Sequence, residues 1–490
     1  MKSKLGIWGM PFVVLLSAGT IWAQGLLDPN LYYVQTIPVP NWTIGKPGIA
    51  NTDLFGFNPA TRIMYLADRT NHAVDVIDTK TNAVVGFIPM AATSTPNQPL
   101  VMTDLQQLAI SDGVKSVFVY DLRAPGNPPD QYVMPSTTPD GMDYDPINRT
   151  LYVITDDSPY YLVGISLPYK TIVSQTVLPG SADLIKFNPV DGKIYIAAED
   201  ADNKNAGAGV YVYDPVSKSV TNQYKVGPAC PGHGIDIDPI SNVAIVGCFG
   251  PMANGDMAMD LSTGKVLNYF SDVGGTDSIV FNPNNRRFYA GAGLNTANTS
   301  GCPGTPPGPF GTLYPVVGVF DATGTPGPSA KLTGVACTGR GNHIAGVDPI
   351  TNLVYVPVSQ YPVDPNSATT GQAGIVVFRD VTPPAQATFT SAKANLVSTA
   401  SSNAPLGTIS MVLQNRRVYL YSYPMGIHGQ AAWLTVPTTV GNELAECAVN
   451  TQTSQAVCGE QVIGDPLIGS IVTLSVDGVA VAKGTISQGP

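Results

Sequence analysis

Asp53-Leu-Phe-Gly-Phe-Asn-Pro59 is the first copy of a short apolar motif that ends in Asn-Pro or Asp-Pro. The later copies begin at Asp140, Asp183, His233, Asp277 and His343, and a degenerate copy is expected at Gln106–Asp112. From Asn58 to Asp348 the motif advances 290 residues in six steps, a mean of about 48 residues. A strand-rich repeat of about 40 to 50 residues is typical of a β-propeller, in which each repeat forms one four-stranded blade.

Each repeat is expected to supply four strands, which we call a, b, c and d. After Asn58-Pro59, strand-like runs occur at Ile63–Ala67, Ala73–Ile77 and Ala83–Ile88, and they are bounded by Asp, Asn, Thr and Gly. The last repeat ends in a c strand at Gly374–Phe378, whereas Tyr32–Val39 resembles a d strand that has no repeat of its own. We therefore expect the N-terminal strand to close a seven-bladed β-propeller that spans residues 32–380.

The first repeat also carries a family resemblance. The stretch from Arg62 to Pro89, which contains Met-Tyr-Leu-Ala-Asp-Arg-Thr-Asn-His-Ala-Val-Asp-Val-Ile-Asp, resembles a repeat of the YVTN family of β-propellers. Looser matches occur at Thr150–Ile154, Lys193–Ala197 and Leu353–Pro357. The resemblance covers about residues 32–380 and implies the propeller fold. It implies no particular activity, because the repeat encodes blades rather than a catalytic site.

Composition agrees with an all-β protein. The chain has 490 residues, of which 44% are hydrophobic and only 12% are charged, and it contains 50 Gly and 43 Pro. This apolar content excludes a disordered chain. The frequency of Gly and Pro excludes a helical one, because both residues interrupt helices.

The N-terminus resembles a secretory signal peptide over residues 1–23. Lys2 and Lys4 precede a short apolar run, and Ala23 provides a small residue at the expected cleavage site. Removing the segment leaves 23 basic against 35 acidic residues, a net charge of −12, which argues against a nucleic-acid partner. Since no later apolar run is long enough for a transmembrane segment, we expect a secreted or periplasmic protein.

The chain changes character after the repeats. Residues 381–405 are rich in Thr, Ser, Ala and Pro and are expected to form a linker. Strand-like runs resume at Ile409–Leu413, Arg417–Tyr421, Ala431–Val436 and Ile471–Val476, which predicts a small β-sandwich-like domain over residues 406–490.

The six cysteines are expected to form disulfides, as is usual in an exported protein. Spacing relative to the strands and loops favours three pairs: Cys230 with Cys248, Cys302 with Cys337, and Cys447 with Cys458. Each pair would staple a loop or a hairpin.

Strand parity predicts where a ligand would bind. In an antiparallel meander the d–a and b–c loops share one rim, which we call the upper rim. Long loops on a rigid scaffold are common binding sites. The candidate binding residues on this rim are Asp68, His72, Asp156, Asp157, Glu199, Asp200 and Asp202.

The first position of the motif is Asp in four of the seven copies, where it is expected to cap backbone N–H groups. His233 and His343 depart from that pattern, and two interpretations remain open. Each histidine either replaces the capping Asp and hydrogen-bonds its own loop, or the two histidines bind one divalent metal ion with Asp277 and Asp183. The sequence leaves the cofactor open, with one divalent metal ion as the candidate.

Two functions from different classes follow. The first is an exported scaffold that binds an extracytoplasmic protein, glycan, small molecule or cell-envelope partner through its upper rim. The alternative is a metal-dependent hydrolase or lyase, similar to propeller lactonases, with its site at the channel mouth. The sequence contains no Gly-x-Ser-x-Gly elbow and no phosphate-binding loop, and it leaves open whether the protein is an enzyme.

Overall fold

The computed structural model describes most of the chain from residue 30 onward. The described residues are 30–42, 51–59, 61–102, 105–145, 148–188, 191–199, 209–226, 230–238, 241–249, 255–282, 285–294, 315–322, 328–339, 341–362, 371–382, 391–399, 405–412, 417–422, 432–438, 441–450, 455–458, 466–467 and 469–488. The expected signal peptide, residues 1–23, lies outside them.

The first 28 strands form seven antiparallel four-stranded sheets. The N-terminal strand and the first three blades are β1 (Leu31–Ile37); β2 (Thr52–Asn58), β3 (Ile63–Asp68), β4 (Ala73–Asp78) and β5 (Ala83–Pro89); β6 (Pro96–Met102), β7 (Gln107–Asp112), β8 (Ser116–Asp121) and β9 (Asp130–Val133); and β10 (Pro139–Asp145), β11 (Thr150–Thr155), β12 (Tyr161–Ser166) and β13 (Thr171–Val177). The other four blades contain β14 (Ala182–Asn188), β15 (Lys193–Ala198), β16 (Gly209–Asp214) and β17 (Ser219–Lys225); β18 (Gly232–Asp238), β19 (Val243–Cys248), β20 (Asp256–Asp260) and β21 (Lys265–Phe270); β22 (Gly274–Asn282), β23 (Arg287–Leu294), β24 (Val316–Asp321) and β25 (Lys331–Cys337); and β26 (Gly346–Asp348), β27 (Leu353–Pro362) and β28 (Gly371–Asp380).

The N-terminal strand closes the seventh blade, as predicted. β1 pairs antiparallel with β28, so that Leu31 lies opposite Asp380 and Ile37 opposite Ile375. The sheet order is β1-β28-β27-β26, which gives this blade four strands from two distant parts of the chain. The a strands of successive blades contact one another, and β26 also contacts β2. The seven blades therefore form a closed ring around a central channel.

The expected position of the second repeat is wrong. Gln106–Asp112 was expected to begin blade two, but β7 is its b strand, and the a strand is β6, in which Asn97 takes the first motif position. The sequence of β6 hides this role because it ends in Met102 rather than in Asn-Pro, and it contains Pro99. Proline is tolerated there because the innermost strand has a free edge facing the channel.

One disulfide is fully described. Cys230 and Cys248 are bonded, as predicted, and the bond links the loop before β18 to the end of β19. Cys337 is also disulfide-bonded, but its expected partner Cys302 lies outside the described residues. Cys447 is disulfide-bonded, and the strand register places Cys458 directly opposite it.

The remaining strands form the C-terminal domain. They are β29 (Ser391–Ser398), β30 (Pro405–Val412), β31 (Arg417–Ser422), β32 (Ala432–Thr438), β33 (Gly441–Asn450), β34 (Gln455–Cys458), β35 (Ile471–Val476), β36 (Val479–Thr485) and β37 (Ser487–Gln488). They share one nine-stranded sheet, in which the end strands β31 and β34 contact each other, so the sheet folds over itself like a sandwich. β29 lies inside the expected linker and belongs to this sheet. Its buried residues are two alanines, Ala392 and Ala394, and Leu396. Because most of these side chains are small, the sequence of the segment resembles a linker.

The C-terminal domain packs against the lower side of blade three. Trp433 joins the apolar cluster of blades two and three, with its ring 6.4 Å from that of Tyr144. Arg149, in the a–b turn of blade three, lies 3.3 Å from Asp477 through Nη1 and Oδ1. Because a–b turns lie on the lower rim, these described contacts are on the side opposite the upper rim. In the described part of the chain, no helix has the length and apolar character needed to cross a membrane.

Candidate functional site

The residues in the first motif position lie where the chain enters each a strand, at the upper end of the channel. In the order of the seven blades, these residues are Asp53, Asn97, Asp140, Asp183, His233, Asp277 and His343. Asp277 is the fourth residue of β22, and His343 precedes β26 by three residues. A cavity of about 230 Å³ opens here, lined by Asp53, Leu54, Arg69, Asp140, Asp156, Asp183, Leu184, His233 and Asp277. We call this cavity, together with the adjacent Glu199 and His343, the channel mouth.

His233 is the centre of the most compact group of polar side chains. Its Nε2 contacts Glu199 Oε1, and its Nδ1 lies 2.9 Å from Asp183 Oδ2 and 3.3 Å from Asp277 Oδ1. The ring packs beside Phe249, with 4.7 Å between the ring centroids. Burial alone would lower the pKa of His233, but the Asp183 charge and the three carboxylate contacts raise it well above its usual value.

Asp277 lies between the two histidines of the ring. His343 Nε2 is 3.6 Å from Asp277 Oδ2, whereas the other carboxylate oxygen faces His233. Although burial would raise the pKa of Asp277, the hydrogen bond from His233 and the charge of His343 hold it below its usual value. His343 Nδ1 is 2.9 Å from the Gly341 carbonyl, so this histidine hydrogen-bonds its own loop, as one interpretation of the sequence expected.

Asp53 has a different partner. Arg69 Nη2 contacts Asp53 Oδ2, and the same guanidinium donates to Asn97 Oδ1 at 2.6 Å and to the Pro96 carbonyl at 3.3 Å. Asn97 in turn donates to the Pro139 carbonyl at 2.8 Å, which links three neighbouring blades. The expected capping of backbone N–H groups is therefore not the role of Asp53, which forms an ion pair instead.

The mouth carries an excess of carboxyl groups. Burial raises the pKa of Asp183 to about 6, and burial together with the charges of Asp183 and Glu199 raises that of Asp156 to about 7. Burial also raises the pKa of Asp140 well above the usual range, and it raises that of Asp53 although the Arg69 charge opposes the shift. Carboxyl groups held so close together resist simultaneous ionisation, and a bound cation would relieve that repulsion.

The comparisons with known proteins establish the fold alone. A solved structure titled "Crystal Structure of Mitotic Checkpoint Complex" matches with a TM-score of 0.50 and 10% sequence identity, over 76% of this chain and 99% of that chain. The fold is a β-propeller. No family model and no curated protein matches the chain, so membership of the YVTN family stays a prediction.

The structure brings the expected metal ligands together. Asp183, His233 and Asp277 place one ligand atom each within 4.8 Å of one another, and so do Asp53, Asp277 and His343. His233 and His343 therefore belong to two overlapping groups that share Asp277. Glu199, which was expected only on the rim, contacts His233 directly.

Three other rim candidates lie outside the mouth. Asp68 is 0% exposed and accepts hydrogen bonds from the Thr70 N–H at 2.9 Å and from Trp42 Nε1 at 3.0 Å, so it stabilises its own loop and links it to the N-terminal segment. His72 Nδ1 is 2.7 Å from the Ser94 carbonyl, between blades one and two. Asp157 accepts hydrogen bonds from the loop before β10, including one of 3.0 Å from the Thr137 N–H. Asp200 and Asp202 lie outside the described residues.

Sequence reasoning missed Arg69 and Asn97. Asn97 was hidden by the misplaced second repeat. Arg69 follows strand β3 directly, in a b–c loop, and it is the one Lys or Arg among the residues that line the cavity. That contrast was the available signal for a counter-ion.

Proposed function

We propose that the protein is an exported propeller scaffold that binds a cationic ligand at the channel mouth. The ligand is a small cation or a cationic side chain of an extracytoplasmic partner. The observation that carries this proposal is the convergence of Asp53, Asp140, Asp156, Asp183 and Asp277 on one cavity of about 230 Å³, in which Arg69 is the only permanently charged cation among the lining residues.

The position of the mouth supports binding. A concave site ringed by one sign of charge attracts ions of the opposite sign. The described contacts of the C-terminal domain with blade three are on the lower rim, so they do not cover the mouth. The disulfide between Cys230 and Cys248 supports export, because such bonds persist mainly in oxidising compartments.

Calorimetric titration of the purified protein with spermidine and with a lysine-rich peptide tests the proposal. We expect binding that weakens as salt is added and that is lost when Asp183→Asn and Asp277→Asn are combined. The matched control, Asp121→Asn with Asp130→Asn, removes the same charge at the c–d turn of blade two and should change nothing. Equal binding by the two double variants would contradict the proposal.

A second candidate is a metal-dependent hydrolase or lyase at the same mouth. The group of Asp183, His233 and Asp277, which adjoins an open cavity, favours it. An ion held there would act as a Lewis acid on a carbonyl group. Hydrolysis of a lactone and ester panel by metal-loaded protein, lost in His233→Ala, would support this candidate. A metal-loaded protein with no activity would leave the binding scaffold as the better account.

A further inference from the structure

Asp183 is a buried carboxylate whose positive partner is His233. It stands at the start of an innermost strand, is 7% exposed and lines the cavity of the mouth. Its Oδ2 lies 2.9 Å from His233 Nδ1, and the two side chains form a hydrogen-bonded ion pair. A buried carboxylate requires a positive partner, which is the imidazolium here and would be the metal ion in a metal-bound site.

His233 is oriented so that Nδ1 faces that oxygen. Glu199 contacts Nε2 of the ring and is placed to accept its N–H, so that Nδ1 faces Asp183 and Asp277. The proton that Nδ1 shares with these carboxylates in the metal-free protein would be released when a metal ion binds. A histidine that donates one ring N–H to a carboxylate and offers the other nitrogen is the usual arrangement of a metal ligand. Glu199 is thus a positioning residue, and Asp183, His233 and Asp277 each place one ligand atom within 4.8 Å of the other two.

The spacing of these donors suits a small divalent ion. Ligand atoms that each lie about 2.0–2.2 Å from an ion are separated by about 2.9–3.5 Å in tetrahedral or octahedral geometry. His233 Nδ1 lies 2.9 Å from Asp183 Oδ2 and 3.3 Å from Asp277 Oδ1. One imidazole with two carboxylates is a donor set for Zn²⁺ or Mn²⁺ rather than for the all-oxygen sites of Ca²⁺.

The overlapping group of Asp53, Asp277 and His343 is less suited to an ion. Arg69 already forms an ion pair with Asp53, and it is fixed in place by Asn97. The guanidinium therefore occupies the place of a second cation. His343 does not bind an ion in this account. Its Nε2 lies 3.6 Å from Asp277 Oδ2, the carboxylate oxygen that does not face His233.

We infer that Asp183, His233 and Asp277 bind one divalent transition-metal ion at the channel mouth, with the remaining coordination positions open to the cavity. This inference rests on the proposed function, since it names the cation that the mouth takes. A metal ion bound there would present a fixed positive charge to an incoming anionic or carbonyl group.

Calorimetry on protein treated with EDTA and then dialysed tests the inference, with ZnCl₂, MnCl₂ and CaCl₂ as separate titrants. We expect about one equivalent of Zn²⁺ or Mn²⁺ to bind, and CaCl₂ to bind more weakly. His233→Ala and Asp183→Asn should abolish binding. Glu199→Gln, which keeps the shape of the side chain, should weaken it by about 10- to 100-fold. His72→Ala, which changes a histidine outside the mouth, is the matched control and should bind like wild type.

The outcomes separate the inference from the proposed function. No binding of Zn²⁺ or Mn²⁺, or binding unaffected by both His233→Ala and Glu199→Gln, would overturn the inference. If spermidine still bound and the combined Asp183→Asn and Asp277→Asn variant lost it, the proposed function would stand without the metal. Melting curves of each variant establish that the fold is kept.

Discussion

His343 Nε2 lies 3.6 Å from Asp277 Oδ2, across the boundary between blades six and seven. Because His343 Nδ1 is 2.9 Å from the Gly341 carbonyl, the imidazole is held in one orientation and fixes the carboxylate beside it. His343 is therefore a positioning residue for Asp277, whose other oxygen faces His233.

We predict that His343→Ala weakens divalent-metal binding by about 10-fold, since loss of a positioning partner typically costs about 10- to 100-fold in affinity. His233→Ala, which removes a direct ligand, should abolish it. Calorimetric titration of the two variants measures the difference. A loss in His343→Ala as complete as that in His233→Ala would show that His343 is itself a ligand.

Because β1 closes the ring, we predict that substitutions at its buried and exposed positions differ strongly in their effect on stability. Ile37 is 1% exposed and packs in the main propeller core, whereas Tyr32 is 52% exposed on the same strand. Ile37→Asp should lower the melting temperature by several degrees and promote aggregation, because the edge of β28 becomes available for pairing. Tyr32→Asp should be nearly neutral. Equal melting temperatures for both variants, measured by calorimetry, would argue against the seam.

Lys186 is a lysine of the channel whose charge is balanced by two neighbouring carboxylates. Lys186 Nζ is 3.3 Å from Asp236 Oδ1, and the charges of Asp236 and Asp143 raise the pKa of this lysine despite its partial burial. Lys186→Met should lower the free energy of unfolding by about 2 kcal/mol, because two carboxylates lose their counter-ion. Adding Asp143→Asn and Asp236→Asn should restore part of the loss in urea unfolding experiments. No restoration would mean that packing of the lysine stem, rather than charge, sets the stability.

Because Asp75 is buried, we predict that the free energy of unfolding depends on pH. Its side chain is 0% exposed, its carboxylate oxygens accept no hydrogen bond from the described residues, and the group that it hydrogen-bonds is the Asp68 carboxylate. Burial, assisted by the charge of Asp68, raises the pKa of Asp75 to about 8 in the folded protein. In the unfolded chain this group titrates near about 3.9, so the folded state holds the proton more tightly and stability falls as pH rises from about 4 to 8.

Asp75→Asn should therefore flatten the decline of melting temperature between pH 5 and pH 8. At pH 8 the variant should be more stable than wild type by at least ~1 kcal/mol, or about 2–4 °C. Asp130→Asn, at a surface carboxyl group, serves as the control. Parallel curves for wild type and Asp75→Asn would show that this carboxyl is ionised in the fold.

The disulfide between Cys230 and Cys248 predicts an effect on both stability and binding. It fixes the loop that leads into β18, which carries His233. Replacing both cysteines by Ser should cost about 2–4 kcal/mol of unfolding free energy and weaken metal binding. Peptide mapping without reduction should also show the links Cys302–Cys337 and Cys447–Cys458. Unchanged stability of the double variant, or free thiols at Cys230 in wild type, would contradict this prediction.

The sequence was sufficient for the ring, because the Asn-Pro and Asp-Pro endings mark where an a strand stops. It failed at β6, where Asn97 stands in the motif position but Met102 replaces the terminal Asn. It also failed at β29, whose buried side chains are mostly alanines. Both errors arise where tertiary packing, rather than local hydrophobic pattern, decides the strand.

The site was predictable only in part. His233 and His343 stood out because they replace Asp in the repeat, and Asp183 and Asp277 followed from the ring they share. The structure separates the roles within this set, because the distances to Glu199 and Arg69 depend on loops of different blades. Spacing along the chain carries no information about which carboxylate a loop arginine will neutralise.

The most direct measurement is an anomalous difference map from crystals grown with Zn²⁺, recorded on both sides of the zinc absorption edge. The account predicts one strong peak within about 2.0–2.3 Å of His233 Nδ1, Asp183 Oδ2 and Asp277 Oδ1. A map with no peak at the channel mouth, or with its peak on the Asp53 and His343 side while His233 contacts no ion, would contradict it.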